Sequence, residues 1–204
     1  DPDAARFRGG AAGARGAKMD VTLRTARLVL RQPRPDDIEA IVRLLNNFRV
    51  AGNLARVPYP YRVTDAKAWL ATWRADKPPA ETGFSLELAG EGVIGHCGYH
   101  PASRGAEIGY WLGEPFWNRG FMSETLAAVL DWYFEATAAA AVYSGVFIFN
   151  RASLAVQKKL GFTETSVSRM HCLARNEEVR HIDTTLTRAR WAGSAERALV
   201  QARG

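Results

Sequence analysis

Apolar residues along the chain recur with two periods, every second position in short runs and every third or fourth in longer ones, and the switches between them mark the elements. Arg27 to Gln32 (RLVLRQ) reads as a first strand. Pro35, Asp36 and Asp37 then open a helix whose Ile38, Ile41, Val42 and Leu45 fall at i, i+3, i+4 and i+7. Residues 46–63 form a polar and aromatic connection with two prolines, after which Thr64 is placed to cap a second helix with Ala66, Trp69, Leu70 and Trp73 on its buried stripe. The segment KPPAETG is a loop. Phe84–Leu88 and Val93–His100 flank the turn Ala89-Gly90-Glu91-Gly92, a hairpin signal, and Glu107–Leu112 adds a third strand. A helix over 122–134 carries Met122, Leu126, Val129, Leu130 and Tyr133 on one face. Ala141–Phe149 is a strand, 151–160 a short helix, and Val167–Leu173 with Val179–Leu186 a terminal hairpin around Arg175-Asn176-Glu177. The predicted order is β-α-α-β-β-β-α-β-α-β-β without internal repeats, and beyond Trp191 the chain either frays or forms a short helix.

Length and composition narrow the class. A chain of 204 residues with 47% apolar and 24% charged residues suits one globular domain, expected over residues 19–191 with a tail over 192–204. Residues 1–18 hold four basic and two acidic residues in an Ala/Gly/Arg-rich run without periodicity, so they are expected to be disordered, with Met19 a candidate start. That run inflates the net charge of +6, and the remaining basic residues are scattered, which argues against a nucleic-acid binder. A basic surface serves coenzyme phosphates or an acidic partner equally well. The longest apolar-rich stretch, Leu126 to Ile148, is broken by Asp131, Glu135 and Gly145, so no membrane span is expected. Cys97 and Cys172 lack metal-ligand spacing and read as reduced thiols of a cytoplasmic protein. His96, His100, His171 and His181 make no metal pattern either; ordinary strand or surface roles are expected, with a cleft contact as the alternative for His96 and His100 on one strand face.

Candidate chemistry concentrates in two segments. In the first, EIGYWLGEPFWNRGFM at 107–122, a strand is followed by a loop ending Trp117-Asn118-Arg119-Gly120 and then by a helix. A helix start leaves backbone N–H groups unpaired and carries partial positive charge, so it can hold a phosphate. Gly120 permits close approach and Arg119 adds a cation. The loop is neither a P-loop nor a dinucleotide fingerprint, lacking both glycine patterns. In the second, NRASLAVQKKLGF at 150–162, Asn150 caps a short helix closed by Gly161, with Ser153 in its first turn. Capping alone would explain Asn150 and Ser153; their combination with the first segment points to a phosphate-bearing cofactor.

These segments, with RLVLR at 27–31, AEIGYWLGEPFWNRGFMSET at 106–125 and weaker agreement over HIDTTLTRARW at 181–191, resemble the GNAT superfamily of acetyl-CoA-dependent N-acetyltransferases. The chain is most similar to its ribosomal-protein-alanine (RimJ/RimL-type) branch, over roughly residues 21–191. It departs from the usual loop pattern in having Trp117 first and Met122 last. The resemblance implies an α/β (α+β) fold, a mixed, strongly twisted sheet of about six to seven strands with helices on both faces and two splayed parallel central strands, 107–112 and 141–148. It implies that backbone groups of Gly109, Tyr110, Trp111 and Leu112 pair with the pantetheine arm of acetyl-CoA. The amides of Arg119, Gly120, Phe121, Met122, Ser123 and Glu124 would take its pyrophosphate. Asn150 and Lys158 would be further coenzyme contacts. No metal is called for.

The implied reaction is direct attack of an amine on the acetyl thioester. A free α-amine, with a pKa of roughly 7.7–8.0, is about a tenth neutral at pH 7, so modest help with deprotonation suffices. By the resemblance Glu107 is the candidate general base, against a structural role at a strand edge, and Ser153 the candidate proton donor to the leaving thiolate, against a cap. The expected activity is acetylation of a primary amine, foremost a protein N-terminal alanine-type α-amine. The alternatives are a small amine (polyamine, amino acid or aminoglycoside) or a non-catalytic acyl-CoA-binding module. Tyr59, Tyr61 and Trp111 could line the acceptor side, whereas Trp69 and Trp73 are assigned to the core. Monomer and homodimer are both compatible with the sequence.

Overall fold

The computed structural model describes residues 21–74 and 76–201, with side chains described to residue 194; the expected tail at 1–18 lies outside these residues. Eight strands form one sheet: β1 Leu23–Arg24, β2 Leu28–Arg31, β3 Gly83–Leu88, β4 Gly92–Ala102, β5 Gly105–Leu112, β6 Ala141–Phe147, β7 Thr163–Cys172 and β8 Glu177–Thr187. Their order is β1-β2-β3-β4-β5-β6-β8-β7. The described helices are α1 Ile38–Leu45, α2 Phe48–Ala51, α3 Val63–Leu70, α4 Phe121–Ala136, α5 Arg151–Lys159 and α6 Arg188–Gln201. The sheet is antiparallel except for the central pair β5–β6, which is parallel. The expected count of six to seven strands is thus corrected to eight. The added strand, β1, is only two residues long, too short for an alternation to show in sequence.

Alternation within β4 decides which helices cover which face. Cys97 and Tyr99 point to the face covered by α4, where Leu126, Val129, Leu130 and Tyr133 pack on Phe84, Leu86 and Ile108. The Tyr99 hydroxyl donates to the Val129 carbonyl at 3.2 Å and its ring stacks on Tyr133. His96 and His100 point to the opposite face, which α1, α2 and α3 border through Ile41, Leu45, Val50 and Ala66. Helix α2 lies in the segment expected to be irregular; Asn47 caps it, its side-chain oxygen accepting from the Arg49 N–H at 2.9 Å. Helix α3 begins at Val63 rather than after Thr64, because the Asp65 carboxylate reaches back to the Arg62 N–H at 2.7 Å. It ends at Leu70, so Trp73 leaves the helical stripe.

A buried ion pair joins α1 to the sheet. Arg31 on β2 donates to both oxygens of Asp37 at 2.9 and 2.8 Å, and the same carboxylate accepts from Ser85 on β3 and from the Arg34 N–H. Burial pushes the Asp37 carboxyl upward, but these donors outweigh it and hold it below the usual carboxylate range. Removing one partner of a buried pair leaves the other charge uncompensated and costs about 3–5 kcal/mol. Arg31 keeps Glu87 as a second carboxylate partner, so Asp37→Ala is expected to lose somewhat less than that, about 2–3 kcal/mol, in urea denaturation at neutral pH. With the folded pKa depressed, the contribution is complete above the unfolded value of about 3.9 and fades as pH falls through the folded one. The gap between wild type and variant should accordingly narrow below about pH 4.

Candidate functional site

Strands β5 and β6 meet at one pair of residues, Glu107 opposite Tyr143, and separate beyond it. The Ser144 hydroxyl on β6 still reaches the Ile108 carbonyl on β5 at 2.9 Å. Further along, side chains rather than backbone span the opening. Gln157 from α5 is fully buried there; its amide N–H groups donate to the hydroxyls of Tyr110 and Ser144, each at 3.0 Å, and its carbonyl accepts from Thr184 at 2.7 Å. One carboxamide thus ties β5, β6 and β8 to α5 while leaving the strands apart. The Tyr110 hydroxyl lies 2.8 Å from the Ser153 hydroxyl. Burial pushes Tyr110 up to about 12 against the opposing hydrogen bonds of Ser153 and Gln157, so it keeps its proton at neutral pH.

Two adjoining cavities border this opening and share part of their wall, as two halves of one cleft. One half, about 460 Å³, is lined by the end of β5, the loop and first turn of α4, and the first turn of α5. The other, about 740 Å³, lies over Glu107, Gly109, His96, His100 and His181, with Trp69 and Trp73 in its wall. Tyr110, Trp111, Asn150 and Ser153 line both. Trp69 and Trp73, assigned from sequence to the core, flank His96 with ring centroids 4.8 and 4.9 Å away. Burial drops the His96 imidazole to about 3, so it is neutral.

The smaller half carries the phosphate-type features. Gly120 precedes α4 with φ +78°, a conformation that costs a residue with a Cβ about 1–2 kcal/mol. It turns the N–H groups of Phe121, Met122 and Ser123 outward with no intrahelical acceptor. The Glu124 N–H differs from that expected set, because it is bonded to the Gly120 carbonyl at 3.1 Å. The Glu124 carboxylate is also committed, accepting from Thr25 at 2.6 Å and from the Arg27 N–H and guanidinium at 2.9 and 2.7 Å. Arg119 and Arg27 both lie over the Phe121 ring, 4.9 and 4.3 Å from its centre, and place two cations beside the helix start. Trp117 ties the loop to β5 by donating its indole N–H to the Leu112 carbonyl at 2.7 Å. Leu112, Trp111 and Tyr110 continue the wall, while Gly109 belongs to the larger half. Asn150 caps α5 by accepting from the Ser153 N–H at 3.1 Å. Lys158, in the last turn of α5, is paired with Glu164 at 2.7 Å. It stands about two helical turns from Asn150.

In the larger half Glu107 is half-buried, its carboxylate 3.4 Å from His100 Nε2, an ion contact rather than an aligned hydrogen bond. The imidazole is the largest influence on it and lowers its pKa; burial opposes this, and Arg56 and His181 add to the lowering. The net result is an anion held below the usual glutamate range. Sequence reading did not identify two features. Gln157 was hidden within a helical stripe. His181 donates or accepts through Nδ1 at 2.9 Å from Asp183, whose carboxylate also accepts from Ser166 at 2.7 Å and Ser168 at 3.1 Å. The i, i+2 spacing of His181 and Asp183 was a visible signal, but the two serines are joined to it only by strand register. Among the described residues no group of side chains is arranged to hold a metal. No described helix is long and apolar enough to cross a membrane.

Comparison with known proteins agrees with this geometry. The sequence matches the acetyltransferase (GNAT) domain family over residues 27–163. It is 30% identical over 155 residues to the uncharacterized N-acetyltransferase YoaA of Bacillus subtilis, covering 73% of this chain and 86% of the relative. Among solved structures, RimJ of Mycobacterium smegmatis in complex with CoA-disulfide aligns with a TM-score of 0.69 at 23% identity, over 84% of this chain and 90% of that one. Spermidine N-acetyltransferase of Vibrio cholerae, in complex with CoA and spermine, aligns with a TM-score of 0.67 at 19% identity, over 82% and 99%.

The Gln157 network predicts a specific sensitivity. Gln157→Leu removes one partner from each of three hydroxyls. Ser144 keeps the Ile108 carbonyl and Tyr110 keeps Ser153, so Thr184 is the one left without its acceptor, at about 1–3 kcal/mol, with the two lost donor bonds adding to it. A loss of at least about 2 kcal/mol is expected in chemical denaturation. Ser153→Ala, which removes one hydroxyl from the exposed end of the same chain, should cost less than about 1 kcal/mol.

Proposed function

Since the chain belongs to the acetyltransferase (GNAT) domain family, we propose that the cleft transfers an acetyl group from acetyl-CoA to the α-amine of a peptide or protein N-terminus, as in the RimJ/RimL branch. The observation that carries this is the gap between the parallel strands beside Glu107, bordered by two adjoining cavities: first-turn amides of α4 and two arginines belong to one, and a carboxylate to the other. The diphosphate of the coenzyme suits the N–H groups of Phe121, Met122 and Ser123 with Arg119 and Arg27. Unpaired strand edges of Gly109 to Leu112 suit an amide-bearing arm. Its sulfur would come near Ser153 and Tyr110.

Each residue then has a task. Glu107, an anion throughout the working range, holds the incoming amine and draws its proton through a water. The Tyr110 hydroxyl, fed by the Gln157 N–H, donates to Ser153, which frees the Ser153 O–H to protonate the departing thiolate. A covalent acyl-cysteine is disfavoured: burial holds the Cys97 thiol far above its ordinary pKa. The name of the Mycobacterium neighbour supports a ribosomal-protein type of acceptor, whereas the Vibrio neighbour binds a polyamine. Charge in this cleft favours the former. Of its carboxylates, Asp65 caps α3, Glu81 is paired with Lys77 at 3.0 Å, and Arg56 stands near Glu107. A polycation would find few open acids there.

The test is CoA release across N-terminal peptides, spermidine, amino acids and an aminoglycoside. Peptides beginning with alanine or serine are expected to exceed spermidine at least about tenfold in kcat/KM, a difference of about 1.4 kcal/mol; a preference for spermidine would move the assignment to small amines. Glu107→Gln should lower kcat/KM by about 10²-fold, chiefly through KM for the amine, and leave coenzyme affinity unchanged. With Glu107 ionised above a depressed pKa, its own acidic limb lies below about pH 4.3. Any limb nearer neutrality in the wild type should persist in Glu107→Gln.

A further inference from the structure

A carboxylate whose pKa is held low attracts an ammonium well but keeps a proton poorly, and a second group in the same cavity is better built to keep it. Strand β8 pairs with β6 so that His181 lies opposite Phe147 and Asp183 opposite Gly145. Since Tyr143 is the partner of Glu107, alternation puts Gly145, Phe147, His181 and Asp183 on the Glu107 face, across the opening from it. Gly145 is what lets the imidazole reach inward: a Cβ there would come within 2.0 Å of His181 Cε1 and 2.7 Å of Nε2. Phe147 packs edge-on against the ring at 5.9 Å. His181 Nδ1 is committed to Asp183, and that carboxylate is clamped by Ser166 and Ser168 from β7. These donors and the imidazole outweigh burial and keep Asp183 ionised. Nε2 makes no hydrogen bond to any described residue, and the ring lines the cavity shared with Glu107. A nitrogen base oriented by a half-buried carboxylate that is itself held by two hydroxyls is the arrangement expected of a general base.

We infer that His181, oriented by Asp183, is the final acceptor of the proton lost by the acceptor amine, with Glu107 holding the nitrogen beside it. The inference rests on the proposed acetyl transfer and assigns its proton path. One proton of the ammonium passes, through water at Glu107, to His181 Nε2. The neutral nitrogen then forms the C–N bond and the C–S bond breaks. As the C–S bond breaks, Ser153 gives its proton to sulfur and regains one from the nitrogen, passed on through water, and the third nitrogen proton stays on the amide. His181 returns its proton to solvent, so one proton is released per turnover. The charged and titratable groups that face His181 are Asp183 on β8, Glu107 on β5, His100 on β4 and Arg56 from the segment after α2. Strand β6 presents Tyr143, Gly145 and Phe147, and β7 presents Ser166, Ser168 and Met170.

The full chain is assayed by CoA release from pH 5 to 9 with its best acceptor, beside His181→Gln, Asp183→Asn and Glu107→Gln, and with coenzyme affinity measured for each. His181→Gln is expected to lose about 10²-fold or more in kcat at neutral pH and to lose the acidic limb. Asp183→Asn should shift that limb, and Glu107→Gln should keep it; coenzyme affinity should stay within about twofold in all three. A wild-type limb retained in His181→Gln overturns the inference and leaves the acetyltransferase reading intact. Loss of transfer to every amine by the wild type, with coenzyme still bound, would sink both. Should His181→Gln fail to fold, the wild-type tautomer decides by 15N NMR. Nδ1–H with bare Nε2 at pH 8 is required, and the reverse tautomer overturns the assignment.

Discussion

Everything at this site depends on a sheet that is held open without being left unsatisfied. Two parallel strands that separate expose backbone and hydroxyl groups to one another across a gap, and buried polar groups without partners are costly. Gln157 resolves this with one carboxamide: it donates twice and accepts once, linking Tyr110, Ser144 and Thr184 across three strands. Hydrocarbon in its place would fill the same volume but strand the Thr184 hydroxyl and take a donor from Tyr110 and Ser144. Because Gln157 sits on α5, the same bonds fix the helix whose first turn carries Ser153. The opening and the hydroxyl chain beside it are therefore one structural unit.

Glycine placement makes the rest of the cleft. Gly120 turns the chain so that the first-turn amides of α4 face outward, with Arg27 crossing from the N-terminal strands to the Arg119 carbonyl at 2.8 Å. Gly145 admits the His181 ring over β6 from the other side. One glycine acts through its dihedral and the other through the missing Cβ. A side chain at Gly120 would strain the turn, and one at Gly145 would displace the imidazole.

Much of this was readable beforehand. The strand–loop–helix of 107–122 and the Asn150–Gly161 helix carry strong local signals, a glycine at a helix start and an Asn cap, and both elements formed within a residue or two of expectation. Family resemblance added the splayed parallel pair, which no local pattern encodes. What stayed hidden was long-range. Glu124 sits in the first turn of α4, where no local pattern shows that Thr25 and Arg27 claim its carboxylate from nearly a hundred residues away. Trp69 and Trp73 have the spacing of core residues, but α3 stops at Leu70 and Trp73 turns onto His96. The His181–Asp183 pair looks like ordinary strand alternation until register sets Ser166 and Ser168 beside it.

In the proposed reaction the two ends of the cleft would handle protons by opposite physical means. On the side of Ser153, neutral hydroxyl and amide groups follow one another from Gln157 through Tyr110 to Ser153, and burial keeps the tyrosine protonated, so in the proposed reaction this chain would meet the thiolate with hydrogen-bond donors and no fixed charge. On the nitrogen side, charges are kept: Glu107 is ionised beside His100 and Arg56, and Asp183 is ionised under two serines and an imidazole. An ammonium entering there meets fixed anions at short range, where the interaction is far stronger than in bulk water. A thiolate leaving on the other side meets only dipoles, which suits a weakly basic group that needs little more than one hydrogen bond. The boundary between these regimes is the opening between β5 and β6, bounded at one end by the paired position Glu107 with Tyr143 and bridged further along by Gln157.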